Sequence, residues 1–373
     1  MLLAAVLVGA AWAACPCPCT GPHTRWHHCE FELPLPTTPA CGCAGAGVRV
    51  VAGAPLRHVL LWQGLRDDLG YVYRNEAVAK CARPCRFLVD RAALSTADAV
   101  LFSLIYLEPS HLPDAKAHAS QAWIAHCAES PANFFGRNLR RPIMERFDLH
   151  VTVSDAAHVR FNYLTFDLFA EHTFARLVAP PPDVARKSGL VAWFATNCNA
   201  PNGRQTYVER LMQHVRVDSH GDCLRNMPAD ASAARHADDW QQRKIDVIGQ
   251  YHFVLAFENS QVDNYVTEKF FHAFLAGTVP VFMGARNVHR FAPANDSYID
   301  VADFATPEAL AAHLTALAAD PVRYLALHEW RRRPLAESFV ALARESVNTV
   351  PCRVCEAVHE WHERRLEQRK SEL

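Results

Sequence analysis

The stretch Tyr251–Ala285 reads YHFVLAFENSQVDNYVTEKFFHAFLAGTVPVFMGA, and these 35 residues decide the fold. His252–Phe257 is an apolar run with strand character, and Glu258-Asn259-Ser260 leaves its carboxyl end. Val266–Ala276 has helical spacing, with Phe270, Phe271, Phe274 and Leu275 on one face. Gly277 is placed to end that helix, and Thr278–Met283 reads as a second buried strand. Strand, loop, helix and strand in this length make a βαβ unit, hence a parallel sheet. In such sheets ligands gather at the carboxyl ends of strands, and anions at helix N-termini. Glu268 and Lys269 lie in the first helical turn, where both can face a ligand.

A lysine there suits a phosphate, but a glutamate beside it is odd for a site that only holds anions. Neighbouring helical residues point about 100° apart. One can therefore face a phosphate while the other accepts hydrogen bonds from sugar hydroxyls, a combination that suggests a nucleotide sugar. FENSQ…YVTEK followed by LAGTVPVFMGA resembles the donor-binding signature of the α-1,3-fucosyltransferases, which use GDP-fucose. The alternative is a plain βαβ unit with a solvated Glu-Lys pair.

Outside this stretch the chain has 373 residues, half of them hydrophobic, enough for two ordinary domains. Lys+Arg 38 against Asp+Glu 39 leaves a net charge of −1, so nothing in bulk favours nucleic acid or an anionic membrane. Residues 1–14 are apolar and uncharged, too short for a full membrane span. They fit a signal peptide, with Ala11-Trp12-Ala13 as an A-x-A cleavage pattern, or a short signal-anchor. Either sends the rest of the chain into the secretory lumen. Thirteen cysteines fit an oxidising compartment. Six of them (Cys15, Cys17, Cys19, Cys29, Cys41 and Cys43) fall in residues 15–47, which read as a Cys/Pro-rich stem.

From residue 48 the character is α/β. Val48–Val51, His58–Trp62, Arg86–Val89, Ala99–Leu104, Ala122–His126 and Leu149–Val153 are short apolar runs with strand character. Pro180-Pro181-Pro182 is a stiff break, after which Gly189–Thr196 starts a new strand and Arg204–His214 a helix. Thr306-Pro307 and Asp320-Pro321 each open a helix with a good N-cap and proline at the first position. The expected organisation is an N-terminal Rossmann-like domain over 48–180, a C-terminal one over 181–350, and a tail over 351–373. The resemblance implies that the two domains face a cleft, the GT-B architecture, with the acceptor on the first and GDP-fucose on the second.

A second segment, FATNCNAPNGRQTYVERLMQHVRVDSHGDCLRN over Phe194–Asn226, is similar to the same family's pattern of a strand ending in S/T-N-C, an arginine, and a D-S-x-G-x-C-x-R-N block. Arg204 matches the arginine that contacts the donor diphosphate, and a planar, permanent guanidinium suits a pyrophosphate. The other reading is a surface arginine at a helix start. Asn259 and Tyr265 match family positions in the donor loop, while Glu258, following an apolar strand, reads as structural and ranks below Glu268. Transfer from a β-linked donor to an α-linked product inverts the anomeric carbon and needs a base. Glu129, in QAWIAHCAESPANFF after a predicted strand, resembles the family's catalytic glutamate, against the simpler reading of a solvated loop residue. Asp67-Asp68 and Asp238-Asp239 are adjacent pairs and not an Asp-x-Asp motif, so metal-independent chemistry is expected, though Mn²⁺ could stimulate it.

Cys352-x-x-Cys355 and Cys81-x₃-Cys85 look like partners, and in the family such C-terminal cysteines tie back to the first domain. The resemblance favours disulfides there and between Cys198 and Cys223. A redox motif or half a zinc site is the alternative for the Cys-x-x-Cys pair. Asn295-Asp296-Ser297 is the one glycosylation sequon with a permitted middle residue. The resemblance spans about Ser120–Glu360, is weak over Val48–Tyr106, and is absent before that. FAPANDSYIDVADF through PCRVC looks closest to plant-type enzymes that fucosylate the core GlcNAc of N-glycans. The resulting expectation is an inverting α-1,3-fucosyltransferase of the Golgi lumen, anchored in the membrane if its N-terminus is retained. Rivals are a Lewis-type enzyme acting on outer-chain GlcNAc, and a non-catalytic GDP-sugar- or glycan-binding protein. A nicotinamide oxidoreductase would need G-x-G-x-x-G after a strand, and none occurs.

Overall fold

The computed structural model describes residues 55–372 apart from 65–71, 74, 79–80, 135–140, 165–175, 181–182, 229–239 and 348. The expected signal segment and stem, the Val48–Val51 strand, part of the proline break and both paired aspartates lie outside the described residues. Two parallel sheets organise the rest. The first takes β1 (Arg57–Leu61), β2 (Cys85–Leu88), β3 (Ala99–Ser103), β4 (Ala122–Cys127), β5 (Leu149–Thr152) and β6 (Val159–Arg160), in the order β2-β1-β3-β4-β5-β6. The second takes β7 (Gly189–Trp193), β8 (Val217–Ser219), β9 (Tyr251–Phe257), β10 (Val279–Met283) and β11 (Ile299–Asp300), in the order β11-β10-β9-β7-β8.

Strands buried on both faces read as continuous apolar runs, which is why β3 and β4 show no polar alternation. Successive residues still go to opposite sides. Val59 and Leu61 join one core with Ile124, whereas Leu60 joins another with Trp123 and Phe102. In the second sheet Phe253, Leu255 and Phe257 face one core, and Val254 and Ala256 face the other side. Each sheet reverses its strand order once, between β1 and β3 and between β7 and β9. Such reversals open a crevice at the strand carboxyl ends where ligands bind.

Helices follow the second-sheet strands: α1 (Arg204–Leu211), α2 (Trp240–Ile248), α3 (Glu268–Leu275), α4 (Pro307–Ala318), α5 (Pro321–Ala326), α6 (Glu337–Val347) and α7 (Val350–Ser371). Thr306 and Asp320 cap α4 and α5 as their sequence predicts. Phe270, Phe271, Phe274 and Leu275 share one core as expected, but the helix expected over 266–276 is shorter. α3 begins at Glu268, and every residue from Phe270 to Leu275 is buried, because its two sides belong to two different cores. Gly277 does end it, with φ of 64°.

The expected C-terminal tail is the 22-residue helix α7, capped by Thr349 and packed on the first sheet. Cys352 and Cys355, one turn apart, bond Cys81 and Cys85 with Cα–Cα distances of 5.3 and 5.4 Å. Arg83, between those partners, pairs with Glu356 at 3.0 Å and with Glu363. The alternatives of a redox motif and half a zinc site are thereby set aside. Asn295 is exposed, whereas Ser297 is buried and donates to the Ala294 carbonyl at 2.6 Å.

Candidate active site

The second-sheet crevice is built by side chains that staple its strand ends. Gly203, at φ 72°, turns the chain into α1, so that Arg204 is its first residue and is buried. The Arg204 guanidinium donates to the Phe257 carbonyl at 2.8 Å and the Asn197 carbonyl at 2.9 Å, joining the carboxyl end of β9 to the loop after β7. Asn202 donates to the Glu258 carbonyl at 2.8 Å and closes the same loop. Cys198–Cys223 fixes that loop to the one after β8. Gly221 in the latter packs so close that a Cβ would lie 2.1 Å from the Ala195 carbonyl. Arg204, expected to contact the donor diphosphate, thus has two of its donors on backbone carbonyls. Its Nε is buried without a hydrogen-bond partner. Burial works against its charge, and Glu258, Tyr265, Glu129 and Glu268 pull the other way.

Glu258 is fully buried, and its carboxylate organises the start of α3. It accepts from the Thr267 amide at 2.7 Å, the Thr267 hydroxyl at 2.9 Å and Lys269 Nζ at 3.2 Å. Burial pushes this carboxyl up, and Lys269 and Thr267 oppose the rise. Gly284 leaves room for it, since a Cβ there would stand 2.8 Å from Glu258 Cγ. Lys269 also donates to the Thr267 hydroxyl at 2.8 Å and lies 3.6 Å from Glu268. Burial opposes its charge, but Glu258 and Glu268 outweigh that and raise it. Glu268 has a second cation at 3.8 Å, Lys244 of α2. Burial opposes the Glu268 charge too, yet Lys269 and Lys244 hold its carboxyl well below the usual range.

Glu129 follows β4 of the first sheet and reaches the second-sheet loop. Its Oε1 accepts from the Tyr265 hydroxyl at 2.6 Å, the Asn259 side-chain amide at 3.3 Å and the Ser130 amide at 2.8 Å. Asn259 and Tyr265, expected to face the donor, therefore touch the expected base. Asp148, another carboxylate of the first sheet, lies at the other end of β4. There it accepts from the Trp123 amide at 2.7 Å and pairs with Lys116 at 2.6 Å.

The six site residues expected from sequence, Glu129, Arg204, Asn259, Tyr265, Glu268 and Lys269, thus fall in one connected cluster. Sequence reasoning missed Lys244, a buried lysine in a polar helix with no motif around it, and the organising role of Glu258. Three cations, Arg204, Lys244 and Lys269, stand among three carboxylates, Glu129, Glu258 and Glu268. Among the described residues no group of three His, Cys, Asp or Glu side chains is placed to hold a metal.

Two parallel sheets, each with a strand-order reversal, make an α/β fold consistent with the GT-B type. The family models agree: "Glycosyltransferase family 10 (fucosyltransferase) C-term" matches residues 184–371 and "Fucosyltransferase, N-terminal" matches residues 54–164. The chain belongs to glycosyltransferase family 10. It is 30% identical over 319 residues to GDP-fucose protein O-fucosyltransferase 3 of Bos taurus, covering 83% of this chain and 65% of that protein. With the Xenopus laevis protein of the same name it shares 32% over 281 residues, 73% of this chain and 58% of that one. A putative fucosyltransferase-like protein of Arabidopsis thaliana is 32% identical over 233 residues, 62% of this chain and 42% of that one. The chain therefore spans about three-fifths of the first two relatives. Among solved structures, a crystal structure of an α1,3-fucosyltransferase has a TM-score of 0.52 at 17% identity, covering 74% of this chain and 81% of that one. Another, with GDP-fucose, has 0.50 at 18% over the same shares. The resemblance read from the sequence holds at the level of the fucosyltransferase family, but the relatives single out neither α-1,3 enzymes nor plant core enzymes.

Proposed function

We propose that this chain transfers L-fucose from GDP-β-L-fucose to an acceptor hydroxyl by a single inverting displacement. The observation that carries the reading is the approach of Glu129 to the β9–α3 loop, beside Arg204, Glu268 and Lys269. In the proposed step the acceptor oxygen attacks fucose C1. The C1–O bond to the β-phosphate breaks, GDP leaves with the electron pair, and Glu129 takes the acceptor proton. Arg204 and Lys269 stabilise charge growing on the diphosphate, in a fixed geometry that needs no reorganisation. Glu268 accepts from sugar hydroxyls, and no metal is required for departure of the diphosphate.

For the acceptor, the relatives at 30–32% identity favour a hydroxyl on a protein side chain. The second reading is α-1,3 transfer to GlcNAc, in the N-glycan core or in Lewis-type outer chains, favoured by the FAPANDSYIDVADF-to-PCRVC resemblance. Three disulfides suit a luminal, Golgi setting. Among the described residues no helix is long and apolar enough to cross a membrane.

The test is turnover of GDP-fucose with folded Ser/Thr-bearing domains, core N-glycans and Lewis-type disaccharides, repeated with Glu129→Gln. Glutamine keeps the size and one oxygen but accepts no proton at neutral pH, so turnover should fall about 10²–10⁴-fold, with GDP affinity nearly unchanged. Near wild-type turnover in that variant would move the base elsewhere. GDP binding without transfer to any acceptor would favour a non-catalytic binding protein.

A further inference from the structure

Tyr265 and Asn259 were expected to serve the donor, and in the structure both side chains also donate to Glu129. Asn264, just before Tyr265, has a left-handed φ of 67°, which asparagine tolerates better than most residues. Two reciprocal bonds with Asn287 hold it there, at 2.9 Å from its amide and 2.8 Å to its side-chain oxygen. Arg290, in the turn after β10, donates to the same oxygen at 3.2 Å. Its guanidinium also reaches Asp155, in the loop between β5 and β6 of the first sheet, at 2.7 Å. Asp155 in turn accepts from Arg160 at 3.0 Å, and Arg160 pairs with Glu345 of α6. The Asp155–Arg290 pair is half exposed and is worth little as a stability element. Its placement is what matters, because it ties the first sheet to the residue that aims Tyr265.

Tyr265 is buried and meets Tyr163 edge-on at 6.2 Å, while Tyr163 donates to the Ala128 carbonyl at 2.8 Å. Both tyrosines therefore pack around the segment that carries Glu129. Burial, then Tyr163, Glu129 and Glu258, push the Tyr265 phenol far above its ordinary range, so it remains a donor. We propose that Tyr265 is a positioning residue for Glu129, and that the Asp155–Arg290–Asn264 clasp sets that contact by locking the β9–α3 loop to the first sheet. The proposal rests on the reading of Glu129 as base, but its first test does not need turnover.

The first test is a double-mutant cycle on denaturant stability with Tyr265→Phe, Glu129→Gln and both together. A charge-assisted bond predicts non-additivity of roughly tenfold in the unfolding constant. The same cycle in an Arg290→Ala background should lose most of that coupling. Additive effects, or coupling unchanged without Arg290, would overturn the proposal. The second test is kinetic, with GDP-fucose and GDP as probes. Tyr265→Phe and Arg290→Ala should each lower kcat several-fold at unchanged GDP affinity, and the double variant should be no worse than Tyr265→Phe. Weaker GDP binding at unchanged kcat would return Tyr265 to the donor and overturn it. Full activity in Glu129→Gln would instead sink the functional reading, and the stability cycle would still decide the positioning.

Discussion

Replacing Glu258 by glutamine should both destabilise the protein and loosen the start of α3. The wild-type carboxylate is fully buried and receives Thr267 N–H, Thr267 O–H and the Lys269 ammonium. The amide oxygen can keep the Thr267 N–H bond. Its NH₂ group then faces a hydroxyl and an ammonium, so the Lys269 bond is lost. A hydrogen bond to a charged group is worth about 1.5–3 kcal/mol, and breaking a buried ion pair by removing one partner costs about 3–5 kcal/mol. The loss is largest for Lys269, whose remaining carboxylate, Glu268, stands at 3.6 Å. We expect about 3–5 kcal/mol from urea unfolding and weaker stabilisation by GDP. Gly284→Ala should act in the same direction, since its Cβ would press on Glu258 at 2.8 Å. A Glu258→Gln midpoint equal to wild type, with GDP protection intact, would refute the assignment of Glu258 as the organiser of this helix start.

His126 on β4 is fully buried between Tyr73 and Phe161, with no hydrogen-bond partner on either ring nitrogen, and burial pushes it down to about 3 from the ordinary 6.5. Between those values the unfolded chain binds a proton the native state refuses, so stability falls as pH drops below 6.5. By pH 5 the difference is ~2 kcal/mol. His126→Leu should therefore lose less stability than wild type between pH 7 and pH 5, and parallel melting curves for the two would contradict this. Cys352→Ser with Cys355→Ser removes two links that span 271 and 270 residues of sequence. A native disulfide contributes about 2–5 kcal/mol, so a measured melting temperature equal to wild type would show that α7 is held by packing alone. Turnover should persist in EDTA, given the cations already beside the proposed diphosphate. Complete loss, restored by Mn²⁺, would assign the leaving group to a metal.

Much of this was legible in 35 residues. The strand–loop–helix–strand pattern, the helix stop at Gly277 and the Glu268-Lys269 pair all follow from local periodicity and turn chemistry. The caps at Thr306 and Asp320 are equally local. The illegible parts depend on distant partners. β6, β8 and β11 are two or three residues long and exist only because a neighbouring strand pairs with them. The burial of α3 on all sides reflects two cores meeting on one helix, which a hydrophobic stripe cannot announce. Lys244 looks like any lysine of a polar helix until Glu268 and the Phe194 ring are seen beside it, at 3.8 and 5.8 Å. The contact between Tyr265 and Glu129 crosses 136 positions of sequence.

The same geometry changes what the two signature cations can do. Lys269 has three N–H donors, and Thr267 and Glu258 already take two, with Glu268 close by. Arg204 has two of its nitrogens committed to backbone carbonyls. Neither is a loose side chain that must fold over an anion and lose rotamer freedom on doing so. Their charges are held in place by the carboxylates and strand ends of the crevice. That arrangement sacrifices some ground-state attraction, because Glu258 and Glu268 partly neutralise the field. What remains is fixed in direction and, in the proposed reaction, costs no reorientation as charge moves onto the diphosphate. On this argument, substitutions at Arg204 and Lys269 act differently. Arg204→Lys would keep a charge but lose the two carbonyl bonds, releasing the loop after β7 from the end of β9. Lys269→Arg would keep a charge but bring a planar fork to a position where Thr267 and Glu258 fit an ammonium. Position, more than the mere presence of positive charge, is what these two residues supply.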